Sequence, residues 1–240
     1  MIPRVIHYCW FGGAPIPEEY RRYIDSWKKY LPDFKIVCHD ESNFPLDCDY
    51  VRQAHMSGKW AFVSDYARIK IIYEQGGIYL DTDVELVRPL LPIVERGGFM
   101  AIEKKLDDVG VNLGLGFGAE AKNPVLYECL CQYTNSQFVD SHGRCDLTTV
   151  VTRVTDVLKR HGFVCADRFQ RVADITIYPS EFFDPIDCVT GKKRIGADTH
   201  AIHHYSASWF DKKTRLKSRV RRLLGQRITA FIIKHKRKIK

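Results

Sequence analysis

The 240 residues predict one α/β domain followed by a basic amphipathic helix. The chain opens strand–helix–strand, the unit from which parallel sheets are built. Further on, the short apolar run Ile78-Tyr79-Leu80 ends in Asp81-Thr82-Asp83, and open α/β sheets bind ligands at such strand ends. Between Lys212 and Lys240 stand thirteen Lys/Arg and no Asp/Glu; subtracting them from the net +8 leaves −5 for residues 1–211. The expected division is therefore a domain over 1–211 and a tail over 212–240.

The elements follow in order. Val5 to Trp10 reads as a buried strand, ended by Gly12-Gly13. Pro17 suits a first helical turn, and Tyr20, Tyr23, Ile24, Trp27 and Leu31 recur at helical spacing. Phe34 to Cys38 closes the β-α-β opening. A helix is expected from about Phe62 to Gln75, stopped by Gly76-Gly77, and then the strand that delivers the aspartates. Phe99 to Glu103 reads as a strand and the glycines from Gly110 to Gly118 as backbone that can approach a ligand. No G-x-G-x-x-G register opens a helix there. Helices near Pro124–Tyr133 and Leu147–His161, and strands at Ile175–Tyr178 and Ala201–His204, complete the reading.

Composition narrows the class. Hydrophobic residues make up 45% and charged ones 28%, as in soluble globular proteins. No apolar run approaches the roughly 18 residues that span a bilayer, and the opening lacks a signal peptide's apolar stretch, so the cytoplasm is the expected compartment. The eight cysteines form no CxxC pair and are read as buried small apolar residues. A mildly acidic body argues against nucleic-acid binding.

Asp81 and Asp83 stand two apart, on the same face if the segment is extended, and both can then reach one hard cation, Mn²⁺ or Mg²⁺. Such a cation would bridge diphosphate oxygens and offset charge on a departing nucleotide. Two acids at this spacing also occur as a solvated strand end. Haloacid-dehalogenase phosphotransferases place D-x-D after a strand too, but with Thr or Val two residues beyond the second Asp, where Glu85 stands here. Asp65 and Arg68, three apart, share a helical face, as a surface ion pair also would.

Together, Ser64-Asp65-Tyr66-Ala67-Arg68, the apolar helix, Gly76-Gly77 and Tyr79-Leu80-Asp81-Thr82-Asp83 resemble the DXD-containing sugar-binding region of family 32 glycosyltransferases. They also look like the glucosylating clostridial cytotoxins. The opening Ile2-Pro3-Arg4-Val5-Ile6-His7-Tyr8-Cys9-Trp10-Phe11-Gly12-Gly13 is similar to the start of the same family. The resemblance is dense over 1–93, returns near 200–209, and implies a GT-A fold, a single Rossmann-like α/β/α domain with a mixed central sheet. It implies that Trp10 stacks on the donor's base and that backbone near Gly12 holds the nucleoside. Asp65 would bond ribose or sugar hydroxyls, Arg68 would contact sugar or phosphate, and Asp81 would touch ribose and metal. Asp83 would be the principal metal ligand. Ala201-Ile202-His203-His204-Tyr205-Ser206-Ala207-Ser208-Trp209 resembles the family's C-terminal element. Counting back from Trp209 implies His204 as third metal ligand, with Ser208 and Trp209 lining the phosphate side. The Gly-Pro of the family's acceptor segment is missing; Asn112 and Asp146-Leu147-Thr148-Thr149 stand nearest to it.

The activity so implied is metal-dependent, retaining transfer from a nucleotide-sugar, UDP favoured, to a saccharide hydroxyl or lipid-linked glycan in bacterial surface polysaccharide synthesis. A phosphohydrolase or phosphotransferase on the same metal site, and a non-catalytic scaffold homologue, are the other readings. In the tail, Leu216, Val220, Leu223, Leu224, Ile228, Phe231 and Ile232 recur at helical spacing among Lys and Arg. That pattern is expected to lie on an anionic membrane, putting the protein at the inner face of the cell membrane. Packing of the helix on the domain is the competing reading.

Overall fold

A computed structural model describes residues 1–105, 108–186 and 193–206. Strand β1 (Val5–Cys9), helix α1 (Glu18–Tyr30) and strand β2 (Lys35–His39) form the expected opening. Then come α2 (Asp49–Met56), α3 (Trp60–Gln75), β3 (Gly77–Tyr79), β4 (Val84–Leu86), α4 (Leu91–Val94), β5 (Phe99–Lys105) and β6 (Asp108–Val111). A 3₁₀ turn at Leu113–Leu115 leads to β7 (Phe117–Ala119), α5 (Pro124–Thr134), α6 (Val150–Arg160), β8 (Gln170–Val172), β9 (Ile175–Tyr178), α7 (Ser180–Phe183) and β10 (Ala201–His203).

The main sheet runs β2-β1-β3-β7-β5-β9-β8, with β6 paired to β5. It is mixed: β1 lies parallel to β2 and β3, and β5 parallel to β9, while β7 is antiparallel to β3 and β5. The α/β class and mixed sheet expected of a GT-A domain are present. From β1 the chain steps to β2 on one side and later to β3 on the other. Their carboxyl ends thus open a crevice at a switch point, where loops from both strands meet.

Apolar clusters cover both sheet faces. One takes Tyr50 and Val51 of α2, the buried flank of α3, and α5 and α6. The other takes Ile24 and Trp27 of α1, Ile93, Phe182 and Phe183, with Val84 and Leu86 of β4. Helix α3 buries Val63, Tyr66, Ala67, Ile69, Ile71 and Ile72, several sides at once, so its polar residues Asp65 and Arg68 are enclosed rather than solvated. After it, Gly76 and Gly77 take φ of +66° and +109°, and a Cβ on Gly77 would stand 2.8 Å from Val5 O. Only glycine lets β3 enter the sheet that close to β1. The indole of Trp27 is fully buried and its Nε1 donates to Val84 O at 2.8 Å, pinning α1 to the strand just after the aspartates.

Among the described residues the expectation that the cysteines are mostly buried holds for Cys9 and Cys129 alone. Cys165 is exposed, the other described cysteines are half-buried, and the described ones are all free thiols. Among the described residues no helix is long and apolar enough to cross a membrane. The expected tail helix over 212–240, like Ser208 and Trp209, lies outside the described residues.

Candidate active site

The chain does not stay extended through the aspartates, as the same-face reading assumed. Leu80 N still donates to His7 O at 3.1 Å, but then Val84 N donates to Asp81 O at 2.9 Å, closing Asp81-Thr82-Asp83 into a turn between β3 and β4. What brings both carboxylates to one place is the turn together with β10, which pairs antiparallel with β4 and sets His203 opposite Val84.

Arg68 lies at the centre of one half of the site. Its guanidinium stands 3.1 Å from Asp65 Oδ1 and 3.2 Å from Asp81 Oδ1, its Nε donates to Ser64 O, and its plane lies 5.0 Å over the Tyr79 ring. Tyr79 hydroxyl donates to the same Asp81 Oδ1 at 2.9 Å. The ion pair on one helical face is therefore not a surface feature: Arg68 is 5% exposed. Burial drives the Asp65 carboxyl up to about 6, against the pull of Arg68, with the charge of Asp81 adding to the rise. Asp65 Oδ2 also accepts from Val150 N, the first residue of α6, at 3.3 Å. Gly114 closes the other side, where a methyl would overlap Asp81 Oδ2 and come 3.0 Å from Arg68 Nη1.

Asp83 organises the second half. It is 5% exposed, its Oδ1 lies 3.1 Å from His203 Nε2, and its Oδ2 accepts from Ser206 N at 2.9 Å. Burial raises this carboxyl, but the charge of the His203 imidazole and the hydrogen bond from Ser206 N override that and hold it near 2. For His203 burial works downward and Asp83 prevails, lifting it to about 9. The contact lies outside hydrogen-bond geometry, so both ring nitrogens of this 3% exposed imidazole lack a partner.

Among the described residues, ligand atoms of Asp81, Asp83 and His203 lie within 4.8 Å of one another. Two carboxylates and an imidazole with a ring nitrogen to spare fit a divalent cation of the Mn²⁺ or Mg²⁺ kind, the imidazole favouring Mn²⁺. The expected third ligand, His204, is not brought into this group. Its Nε2 faces Glu85 Oε2 at 2.9 Å and its ring stacks on Tyr23 at 4.3 Å. Neighbours on a strand point to opposite faces, and the register gives the inner one to His203.

Trp10 sits half-buried at the end of β1, edge-on to Tyr20 at 5.7 Å, with its indole N–H donated to Ala14 O. Gly12 is exposed, donates its N–H to Glu41 Oε1 at 2.7 Å, and lies against the indole of Trp60. Of the acceptor candidates, Asn112 is absorbed by the fold. It accepts from Gly114 N at 2.8 Å and donates to Glu103 at 3.1 Å. Asp146 pairs with Arg153, and Thr149 caps α6. Sequence reasoning missed Tyr79, Trp60, Gly114 and the part of Val150. A hydroxyl two residues before Asp81 was the visible signal for Tyr79; the others are met only through tertiary contacts.

Residues 17–100 match the family model described as "Glycosyltransferase sugar-binding region containing DXD motif". The chain is 27% identical over 142 residues to inositol phosphoceramide mannosyltransferase 1 of Schizosaccharomyces pombe, covering 54% of this chain and 42% of that one. It thus spans under half the length of that relative. A glycosyltransferase of Acanthamoeba polyphaga mimivirus is 25% identical over 218 residues, 87% of this chain and 84% of its own. Among solved structures, the PaToxG glycosyltransferase aligns at 18% identity with a TM-score of 0.48, over 66% of this chain and 69% of that one. The match over the D-x-D region, residues 17–100, and the named relatives support a family-32-like glycosyltransferase assignment for this chain.

Proposed function

We propose that the protein transfers a sugar from a nucleoside diphosphate donor, with UDP favoured, to a saccharide hydroxyl, with retention of anomeric configuration. The single observation that carries this reading is the convergence of Asp81, Asp83 and His203 beside the Arg68–Asp65 pair. Asp81, Asp83 and His203 would hold Mn²⁺ or Mg²⁺, and a cation bound there supplies neutralisation of the diphosphate's charge as the nucleotide leaves.

The chain's own residues do the rest. Arg68 is already aimed by two carboxylates, so it can meet phosphate or sugar oxygens without reorganising, which makes its charge more effective than a mobile one. Asp65, whose carboxyl titrates near 6, can accept from or donate to sugar hydroxyls. Trp10, with Gly12 and the neighbouring Trp60, offers aromatic surface for the base; Ser208 and Trp209 are carried as phosphate-side residues on resemblance alone. The acceptor is proposed to be a lipid-linked glycan of surface polysaccharide synthesis, reached by a protein held at the inner face of the membrane through its tail.

Incubation with UDP- and GDP-sugars, with and without Mn²⁺, tests the reading. Nucleotide release should require the cation and fall at least about 100-fold in Asp83→Ala, the scale of losing an electrostatic contact made in the transition state. A cation-independent rate, or an Asp83→Ala rate equal to wild type, refutes it.

A further inference from the structure

Beside the site lies a second buried acid that the proposed reaction does not use. Asp184 follows α7 and is 7% exposed; among the described residues its Oδ1 has no hydrogen-bond partner. Leaving a buried carboxylate oxygen unpaired costs free energy, so such an orphan is expected to acquire a partner in the working state. Helix α7 is sutured to β10: His200 N donates to Phe182 O and Thr199 Oγ1 to Glu181 O, both at 2.9 Å. Asp184 thereby ends a helix packed on β10, the strand that carries His203.

On His203, Nε2 faces Asp83 and Nδ1 is the second orphan. Tyr205 keeps the ring from turning. Its own ring packs edge-on against His203 at 4.2 Å and 87°, and its hydroxyl lies between Asp184 and Glu103, donating to Glu103 Oε1 at 3.1 Å. To do this Tyr205 adopts φ +50°, unfavourable for a bulky residue. Strain of this kind persists where the surrounding structure demands it.

We infer that Asp184 is a positioning residue: it accepts a hydrogen bond from His203 Nδ1–H and so presents Nε2 to the cation. This rests on the proposed metal site. It completes a carboxylate–imidazole–cation arrangement in which the carboxylate fixes the tautomer and makes Nε2 a stronger donor. The two buried orphans, Asp184 Oδ1 and His203 Nδ1, become each other's partner once the Asp83–His203 contact gives way to coordination.

Mn²⁺ titration of the full chain, followed by the electron paramagnetic resonance signal of free Mn²⁺, tests this without any turnover. Asp184→Ala should weaken Mn²⁺ binding about 10- to 100-fold and Asp184→Asn, which keeps the acceptor oxygen but not the charge, by less. If Asp184→Ala binds Mn²⁺ as wild type does while Asp83→Ala does not bind, the inference falls and the metal site stands. If wild type itself does not bind Mn²⁺, or Asp83→Ala binds as well as it does, both fall. Should Asp184→Ala not fold, ¹⁵N resonances of His203 in wild type saturated with Mg²⁺ decide: a protonated Nδ1 supports the assignment and a bare Nδ1 overturns it.

Discussion

At Arg68 one guanidinium answers two enclosed carboxylates, Asp65 and Asp81, at 3.1 and 3.2 Å. Removing it in Arg68→Ala leaves buried charge uncompensated and is expected to cost about 3–5 kcal/mol of stability in urea denaturation. The loss should be greater at pH 8 than at pH 5, because Asp65 titrates near 6 and takes up a proton in acid. Arg68→Lys should recover only part, since an ammonium cannot fork to both partners. At His203 the folded value of about 9 stands above the ordinary 6.5, so the ion pair with Asp83 stabilises fully below pH 6.5 and fades as pH rises toward 9. Cation binding needs that imidazole unprotonated, so Mn²⁺ affinity measured by calorimetry should rise with pH up to about 9, with proton release.

Among the elements, the 3₁₀ turn at Leu113–Leu115 acts as a wall. Gly114→Ala should disturb Asp81 and Arg68 and lower nucleotide release at least about tenfold, since small misplacements at a site cost that much. Circular dichroism should show the fold retained. Strands β1 and β2 are coupled by a buried chain: His7 Nδ1 meets His39 Nε2 at 2.9 Å, and His7 Nε2 meets Gly76 O at 3.1 Å. Burial, then the nearby His39, pushes His7 down to about 4. The folded state therefore binds fewer protons than the unfolded chain between pH 4 and 6.5. His7's contribution is complete above 6.5 and lost as pH falls to 4, by roughly 3 kcal/mol. His7→Gln should flatten that part of the stability–pH curve. The long elements α1, α3, α5 and α6 were legible because 3.6-residue periodicity accumulates over several turns. Strands β4, β6, β7 and β8, of three or four residues, carry too few side chains to show a period, and glycines in β6 and β7 hid them further. Helix α2 lies in a stretch to which the sequence reading assigns no element.

For the molecule as a whole, the charge division of the sequence makes its own prediction. The wild-type chain should co-sediment with anionic liposomes and a chain ending at Asp211 should not; equal binding by the two removes the membrane proposal. The α/β class, the pairing of Asp65 with Arg68 and the importance of Asp81 and Asp83 are local: each depends on residues within one or two turns or strands of each other. The choice between His203 and His204 is not. Sequence alone set two histidines at the end of one strand, and strand alternation guaranteed that they would face opposite ways. Which of them meets Asp83 depends on the register of β10 against β4, two strands more than a hundred residues apart in the chain. The same holds for Asp184, which packing of α7 on β10 brings to the strand that carries His203. The sequence by itself therefore determined the chemistry available at the sheet's edge. Tertiary structure decided which side chains share it, because long-range register is fixed by packing that no short stretch of sequence contains.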